Sequence, residues 1–232
     1  MMPLIRLGAV DSTQSFLGRH PELGFCGVMA DTQTVGMGRG GNSWESSAGA
    51  GLWLSARLPF SGPPGGGILR SAMAAVLEVL EPCCLTLGLK WPNDLVAYKQ
   101  TEQGRRLVKV GGIIGEQNDK CVTLGLGLNI YDAPELPERV IPAASLLSLG
   151  AKNIPEMADL ARSILSEWQD LSVNRSAAFY WPAAGDLISW EDGKGVCQGW
   201  EPDGRLAVQT QSGLVRLTNA LQLQMDTSNQ DL

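Results

Sequence analysis

Lys109-Val110-Gly111-Gly112-Ile113-Ile114-Gly115-Glu116 is a strand-like run with one cation at its head and a glycine pair directly behind it. A lysine in an otherwise apolar strand either snorkels to the sheet edge or meets an anion. Gly111 and Gly112 favour the anion, because bare backbone admits a ligand where most side chains would block it. Upstream, Lys90-Trp91-Pro92-Asn93-Asp94 leaves an earlier strand-like segment. Pro92 fixes the backbone there, so Asn93 and Asp94 are presented rigidly. Asp94 is a candidate Mg²⁺ ligand, with substrate phosphates supplying other ligands. Further back, Gly36-Met37-Gly38-Arg39-Gly40-Gly41 is a glycine loop whose amides and Arg39 can cradle phosphate oxygens. These parts suit an anionic, nucleotide-like ligand; a metal hydrolase or a nucleophile-based enzyme needs different residues.

The flanking segments set the architecture. Leu4–Val10 reads as a strand, and Asp11-Ser12-Thr13 offers N-cap residues for a short helix over Gln14–Arg19. Further strands are predicted over Phe25–Asp31, Gly51–Leu58, Leu85–Trp91, Leu95–Tyr98, Leu107–Gln117 and Cys121–Ile130. An Asn118-Asp119-Lys120 turn joins the last two. Apolar stripes at helical spacing mark Ile68–Leu80 and Glu156–Leu171, whereas Pro59–Gly67 and Ala133–Pro142 read as loops. Strands and helices do not alternate regularly. The expected fold is therefore α+β, a mixed, largely antiparallel sheet with helices on one face. From about Gly185 short strands and tight turns take over (Asp192-Gly193, Pro202-Asp203-Gly204, Ser212-Gly213), the texture of a small β-barrel. Expected domains are 1–183 and 184–232, with Asp226–Leu232 frayed.

Composition narrows the function classes. A chain of 232 residues, 44% hydrophobic and 18% charged, has the make-up of an ordinary globular protein. Its formal charge of -6 argues against a broad nucleic-acid-binding surface. No apolar run approaches the length of a membrane span and no secretory signal is visible, so a cytoplasmic protein is expected. Five cysteines without a CxxC pair and a single histidine, His20, read as reduced thiols and offer no zinc constellation.

Gly36-x-Gly38-x-x-Gly41 formally matches the dinucleotide fingerprint, which needs a helix next and an acid about twenty residues on. Here Asn42–Ser47 and Gly51–Leu58 read as loop and strand, and no acid lies within Ala56–Gly67. The Rossmann reading fails, and no Walker A sequence exists. Trp44, beside the glycine loop, is either core or a ring that closes over a ligand. Asn129 ends the run Leu124-Gly125-Leu126-Gly127-Leu128-Asn129, and one amide can both donate and accept, as adenine recognition requires.

Taken together, the motifs resemble those of the biotin–protein ligase family, the biotin–[acetyl-CoA-carboxylase] ligases. Asp11-Ser12-Thr13-Gln14 is similar to the family's S-T-N, and Gln33-Thr34-Val35-Gly36-Met37-Gly38-Arg39 to its Q-T-x-G-R-G-R. Lys90–Asp94 matches K-W-P-N-D, Lys109–Ile113 matches K-x-x-G-I, and Gly125–Asn129 matches G-x-G-x-N. Gly199–Leu206 resembles part of the family's small SH3-like barrel. The resemblance implies a class II synthetase-like ligase fold that uses ATP and biotin as substrates with Mg²⁺. It further implies a protein that makes biotinyl-5′-AMP and passes biotin to a lysine of a biotin carboxyl carrier protein or domain.

By the same resemblance Ser12, Thr13, Gln14, Gln33, Gly38, Trp44, Gly111 and Gly112 would bind biotin. Arg39 and Lys109 would be catalytic at the acyl-phosphate end, Asn93 and Asn129 would serve the nucleotide, and Asp94 the Mg²⁺. A homodimer is compatible with it; nucleic acid and membrane are not expected partners. With a first strand at Leu4, the family's DNA-binding N-terminal domain and repressor role are expected to be absent. Three departures matter: Gln14 for the Asn of S-T-N, Met37 for the first arginine of G-R-G-R, and Asn42 for an arginine before the tryptophan. They keep two alternatives open, a ligase-like binding protein of weakened catalysis and a lipoate- or octanoate-transferring relative.

Overall fold

Nine strands make one sheet in the computed structural model, which describes residues 2–60, 67–135, 141–171, 175–219 and 223–225. The tail expected to fray and the middles of the two expected loops, 61–66 and 136–140, lie outside the described residues. The strands are β1 (Leu4–Val10), β2 (Gly27–Met37), β3 (Ser43–Ser46), β4 (Gly51–Pro59), β5 (Leu87–Lys90), β6 (Asp94–Thr101), β7 (Gly104–Gln117), β8 (Cys121–Asn129) and β9 (Tyr180–Trp181). Their order is β1-β2-β4-β8-β7-β6-β5-β9, with β3 paired to β2. Only β1–β2 and β5–β9 run parallel, so the sheet is mixed and largely antiparallel, as expected.

Among the described residues three α-helices accompany it: α1 (Thr13–Arg19), α2 (Gly67–Val79) and α3 (Met157–Trp168). Strand alternation tells which face each covers. On β2, Met29 joins the main core with the leucines and alanines of α2 and α3, while its neighbour Val28 joins Leu17 of α1 and Cys26. The two longer helices thus share one face, as expected, and short α1 sits on the other. Ser12 caps α1 by accepting from Ser15 N.

Beyond α1 that second face is open. On β8, Leu124, Leu126 and Leu128 enter the helix-side core, and Gly125, Gly127 and Asn129 line a cavity instead. The alternation that fills the core therefore also clears the cavity floor.

A second sheet of five antiparallel strands follows: β10 (Leu187–Trp190), β11 (Gly193–Trp200), β12 (Leu206–Thr210), β13 (Gly213–Leu217) and β14 (Gln224–Met225), ordered β13-β12-β11-β10-β14. Its core holds Ile188, Cys197, Leu206, Val208 and Leu217, and also Trp91 from the turn between β5 and β6.

One expected boundary is corrected. β2 does not stop at Asp31 but continues to Met37 and pairs with β3, so the glycine loop is the tip of a hairpin arm. Thr32, Thr34 and Val35 are β-branched and carry the extended conformation onward.

Candidate active site

Lys109 and Gly112 sit three residues apart yet both face the cavity, which regular alternation forbids. A β-bulge reconciles the two. Leu95 pairs with Gly111 and Val96 with Lys109, leaving Val110 as the extra residue in β7. Val110 and Gly111 both turn to the helix side: Val110 is core, and a Cβ on Gly111 would lie 3.1 Å from the Leu95 and Leu128 side chains. Gly111 therefore does not line the cavity, which corrects its expected place among the ligand contacts. A Cβ on Gly112 would instead lie 3.4 Å from Lys109 Cε and Asp94 Oδ1. At the bulge β7 leaves β8, and Lys109 bridges Ala143: Lys109 N donates to Pro142 O (2.8 Å) and Ala144 N to Lys109 O (2.9 Å).

Asp94 opens β6 beside this point. Lys109 Nζ lies 2.6 Å from Asp94 Oδ1, and Lys90 Nζ 3.6 Å from Oδ2. Burial pushes the Asp94 carboxyl up, but the charges of Lys109 and Lys90, the Lys109 hydrogen bond and the charge of Arg39 outweigh it and hold it below the ordinary carboxylate range. Lys90 is held below the usual lysine range by burial, against the opposing pull of Asp94. Three cations thus surround one carboxylate in a half-enclosed site, an arrangement ready for a further anion. Asn93 is 8% exposed; its Nδ2 donates to Ile113 O (2.9 Å) and its carbonyl accepts from Ile113 N, so it clamps the turn onto β7.

A direct Asp94–Mg²⁺ bond does not fit this donor set. Each Asp94 oxygen faces an ammonium group, and the described residues hold no cluster of three His, Cys, Asp or Glu side chains.

The cavity, about 960 Å³, has two polar ends. At one, Thr13 N and Oγ1 donate to Gln33 Oε1 (2.8 and 3.1 Å), and Thr13 Oγ1 meets Ser55 Oγ at 2.8 Å. Gln33 Nε2 donates to Ser46 Oγ (2.9 Å). Gln14, 4% exposed, donates to Thr123 O, but its buried Oε1 has no partner among the described residues. Ser12 lines this end too. At the other end Asn129 Nδ2 donates to Ala144 O, and its buried Oδ1 is likewise without a partner. Buried polar groups are nearly always satisfied, so two orphan acceptors on one cavity wall call for donors on a ligand.

The hairpin arm closes the side between. Trp44 lies against Gly127, where a Cβ would collide with its ring; it is edge-on to Trp53 and its ring centroid is 5.2 Å from Lys109 Nζ. Gly38, Arg39, Met37 and Asn42 also line the cavity. Met37 Sδ accepts from Ser15 Oγ, and Asn42 Nδ2 donates to Arg39 O. The sites where charge was expected to be lost are thus on the lining and carry none.

Sequence reasoning passed over Lys90 and Ser55 as site residues. Lys90 stood in a quoted motif, and Ser55 is a polar residue inside an apolar strand, a signal that was available. It also gave no sign that Leu223, Gln224 and Met225 form part of the cavity wall.

A glycine-floored, cation-lined cavity thus lies on the open face of a mixed sheet. Residues 13–129, half of the chain, match the profile described as the Biotin/lipoate A/B protein ligase family. This chain belongs to that family. It is 36% identical over 148 residues to the biotin–[acetyl-CoA-carboxylase] ligase of Mycobacterium tuberculosis, covering 60% of this chain and 51% of that protein. It is 30% identical over 145 residues to the bifunctional ligase/repressor BirA of Bacillus subtilis, covering 60% and 43%. The chain thus matches about half the length of these curated relatives. Its fold is similar to that of the Aquifex aeolicus biotin protein ligase in complex with biotin and ATP (TM-score 0.75, 22% identity, 97% of this chain and 100% of that one). It is also similar to that of the Leishmania major biotin protein ligase in complex with biotinyl-5-AMP (TM-score 0.56, 22% identity, 94% and 99%). No helix among the described residues is long and apolar enough to cross a membrane.

Proposed function

We propose that this chain is a biotin–protein ligase, which activates biotin with ATP to biotinyl-5′-AMP and transfers biotin to a lysine of a carrier protein or domain. The observation that carries the reading is the spacing of functions along one cavity. An amide and hydroxyl cluster with an orphan acceptor, Gln14 Oε1, stands at one end, three cations in the middle, and an orphan acceptor, Asn129 Oδ1, at the other. A ureido ring with N–H donors suits the first end, a carboxylate meeting a phosphate the middle, and an adenine amino group the last.

In the first step a biotin carboxylate oxygen bonds to the α-phosphorus of ATP as the bond to pyrophosphate breaks. Lys109 and Arg39 face the charge that builds there. In the second, a carrier lysine amine attacks the acyl carbon, AMP leaves with the bonding electrons, and the amine nitrogen gives up a proton to solvent. Both nucleophiles come from substrates, so the protein's work is alignment and charge stabilisation. That accounts for a site without a histidine or cysteine nucleophile. Such a site needs no membrane and no nucleic acid, and is suited to the cytoplasm, where ATP is supplied.

A second reading, a binding protein of weakened catalysis, is favoured by the uncharged Met37 and Asn42 on the cavity lining. Pyrophosphate release with biotin, lipoate and octanoate assayed in parallel separates the readings. Release with biotin alone is expected. Biotin binding without release supports the second reading, and release with lipoate or octanoate in preference to biotin supports the acyl-transferring alternative.

A further inference from the structure

We propose that Arg57 is a positioning residue for the end of the cavity that takes the carboxylic acid, acting through α1. This rests on the proposed reading, in which Thr13 and Gln14 meet that acid.

α1 spans only seven residues, Thr13–Arg19, and a helix of that length does not hold itself in water. Its position therefore depends on what grips it. Leu17 packs with Cys26 and Val28. Apolar contact of this kind is non-directional, so it holds the helix to the sheet without fixing where it stops along its axis. Directed bonds come from β4. Leu54, Ala56 and Leu58 of that strand enter the helix-side core, so Ser55 and Arg57 between them face α1 and the cavity. Ser55 Oγ meets Thr13 Oγ1 at 2.8 Å, at the start of the helix. Arg57 holds the other end. Its Nη2 donates to Leu17 O, and its Nη1 to His20 O (3.1 Å) and Gly24 O (3.3 Å), with Pro21 O at 3.5 Å.

The two grips are in register. A helix rises about 6 Å over the four residues from Thr13 to Leu17, and a strand advances about 6.6 Å over the two from Ser55 to Arg57. A guanidinium fork can serve several carbonyls around the chain reversal after α1, where one ammonium group could not serve them all. What the grip fixes is Gln14. Its unpartnered Oε1 and Ser55 Oγ lie 2.8 and 3.3 Å from where a Cβ on Gly125 would stand, so both press on the cavity floor. Hydrogen-bond lengths vary by only about 0.5 Å, whereas a slip of α1 by one residue moves Gln14 by about 1.5 Å. Elsewhere in the cavity Asp94 bonds to Lys109 and Asn129 to Ala144, away from α1.

The test uses the full chain as wild type, Arg57→Ala, Arg57→Lys, Gln14→Ala and the double variant Arg57→Ala/Gln14→Ala. Calorimetry measures binding of AMP and of biotin, lipoate and octanoate, and hydrogen exchange over 15–20 reports on α1. Arg57→Ala is expected to weaken binding of the acid roughly tenfold and to speed exchange in α1, with AMP binding kept within about twofold of wild type. Arg57→Lys should regain part of the affinity. In the Gln14→Ala background the loss should shrink, because the group being positioned is gone. Where Arg57→Ala does not fold, Arg57→Lys decides, with a loss beyond about twofold for the acid alone expected. Arg57 has no positioning role if the deciding variant binds the acid within about twofold of wild type, if acid and AMP weaken alike, or if the loss is the same without Gln14. A wild type that binds lipoate or octanoate in place of biotin overturns the biotin reading alone, because the role of Arg57 is then read with that acid. A wild type that binds none of the three overturns both.

Discussion

Lys109 shows why single residues in this chain cannot be read from spacing alone. The sequence marks it as a cation among apolar neighbours, yet only the extra residue Val110 lets Lys109 and Gly112 face the same cavity. Nothing in Val110 announces a bulge, so the same run suggests an anion site with Gly111 in it, whereas the bulge turns Gly111 to the helix side. Lys109→Ala removes the cation nearest Asp94 and the Trp44 ring, and is expected to abolish acyl-adenylate formation while the fold persists. Single-turnover assays check it, and near-normal adenylate formation would sink the catalytic assignment. Asp94 gives a pH prediction. Its carboxyl is held below the ordinary range, so its contribution to stability is complete above the unfolded-state pKa and is lost as pH falls through the depressed folded value. Asp94→Asn should thus be less stable than wild type near neutrality, by roughly 1–3 kcal/mol, and the gap should close only below the ordinary carboxylate pKa. Urea unfolding at stepped pH measures this; a gap that stays constant through the acid range would mean that Asp94 is not the titrating group.

At the scale of elements, most of the main sheet was legible because its strands obey period-two patterning and its turns carry their own residues, as at Asn118-Asp119-Lys120. Two features were not. The side of the sheet on which α1 lies is set by how the chain crosses between β1 and β2, not by the apolar pattern of α1 itself. The arm from Thr32 to Ser46 looked like a glycine loop because its pairing is sparse. β2 and β3 are matched only at Gln33–Ser46, Gly36–Trp44 and Met37–Ser43, with a register shift between Gln33 and Gly36. An arm held so lightly should exchange its amides readily. Ordering its fifteen or so residues costs on the order of 1–2 kcal/mol each, which ligand contacts must offset. Hydrogen exchange over 36–42 is therefore expected to slow markedly with biotinyl-5′-AMP bound, as the arm shields the adenylate from water. Equal protection with and without the adenylate would mean that the arm is no lid and that its glycines serve the turn alone.

At the scale of the whole molecule, the turn texture after Gly185 disclosed a second β unit, but not that its core is completed from outside. Trp91 stands in a motif that ligand binding already explained, so no signal assigned its side chain to a distant sheet. In the structure it is fully buried among Ile188, Cys197, Leu206, Val208 and Leu217. Around it, Arg70 donates to Glu201 O and lies over Tyr180, and the Tyr180 ring packs on Trp200 at 5.6 Å. The second sheet is thus a small unit that borrows its largest core side chain from the turn carrying Asp94. A unit of this size has little apolar area of its own to set against chain entropy. Trp91→Ala should destabilise it by about 3–5 kcal/mol and leave the main sheet, whose core does not contain Trp91, largely intact. Wild type is expected to unfold in one transition in urea. The variant should show an earlier transition confined to the second sheet, seen as early loss of amide protection over 187–217, while adenylate formation falls because the turn that presents Asp94 loses its anchor. A single transition with protection lost uniformly over both sheets would show that the two units are bound by contacts other than Trp91.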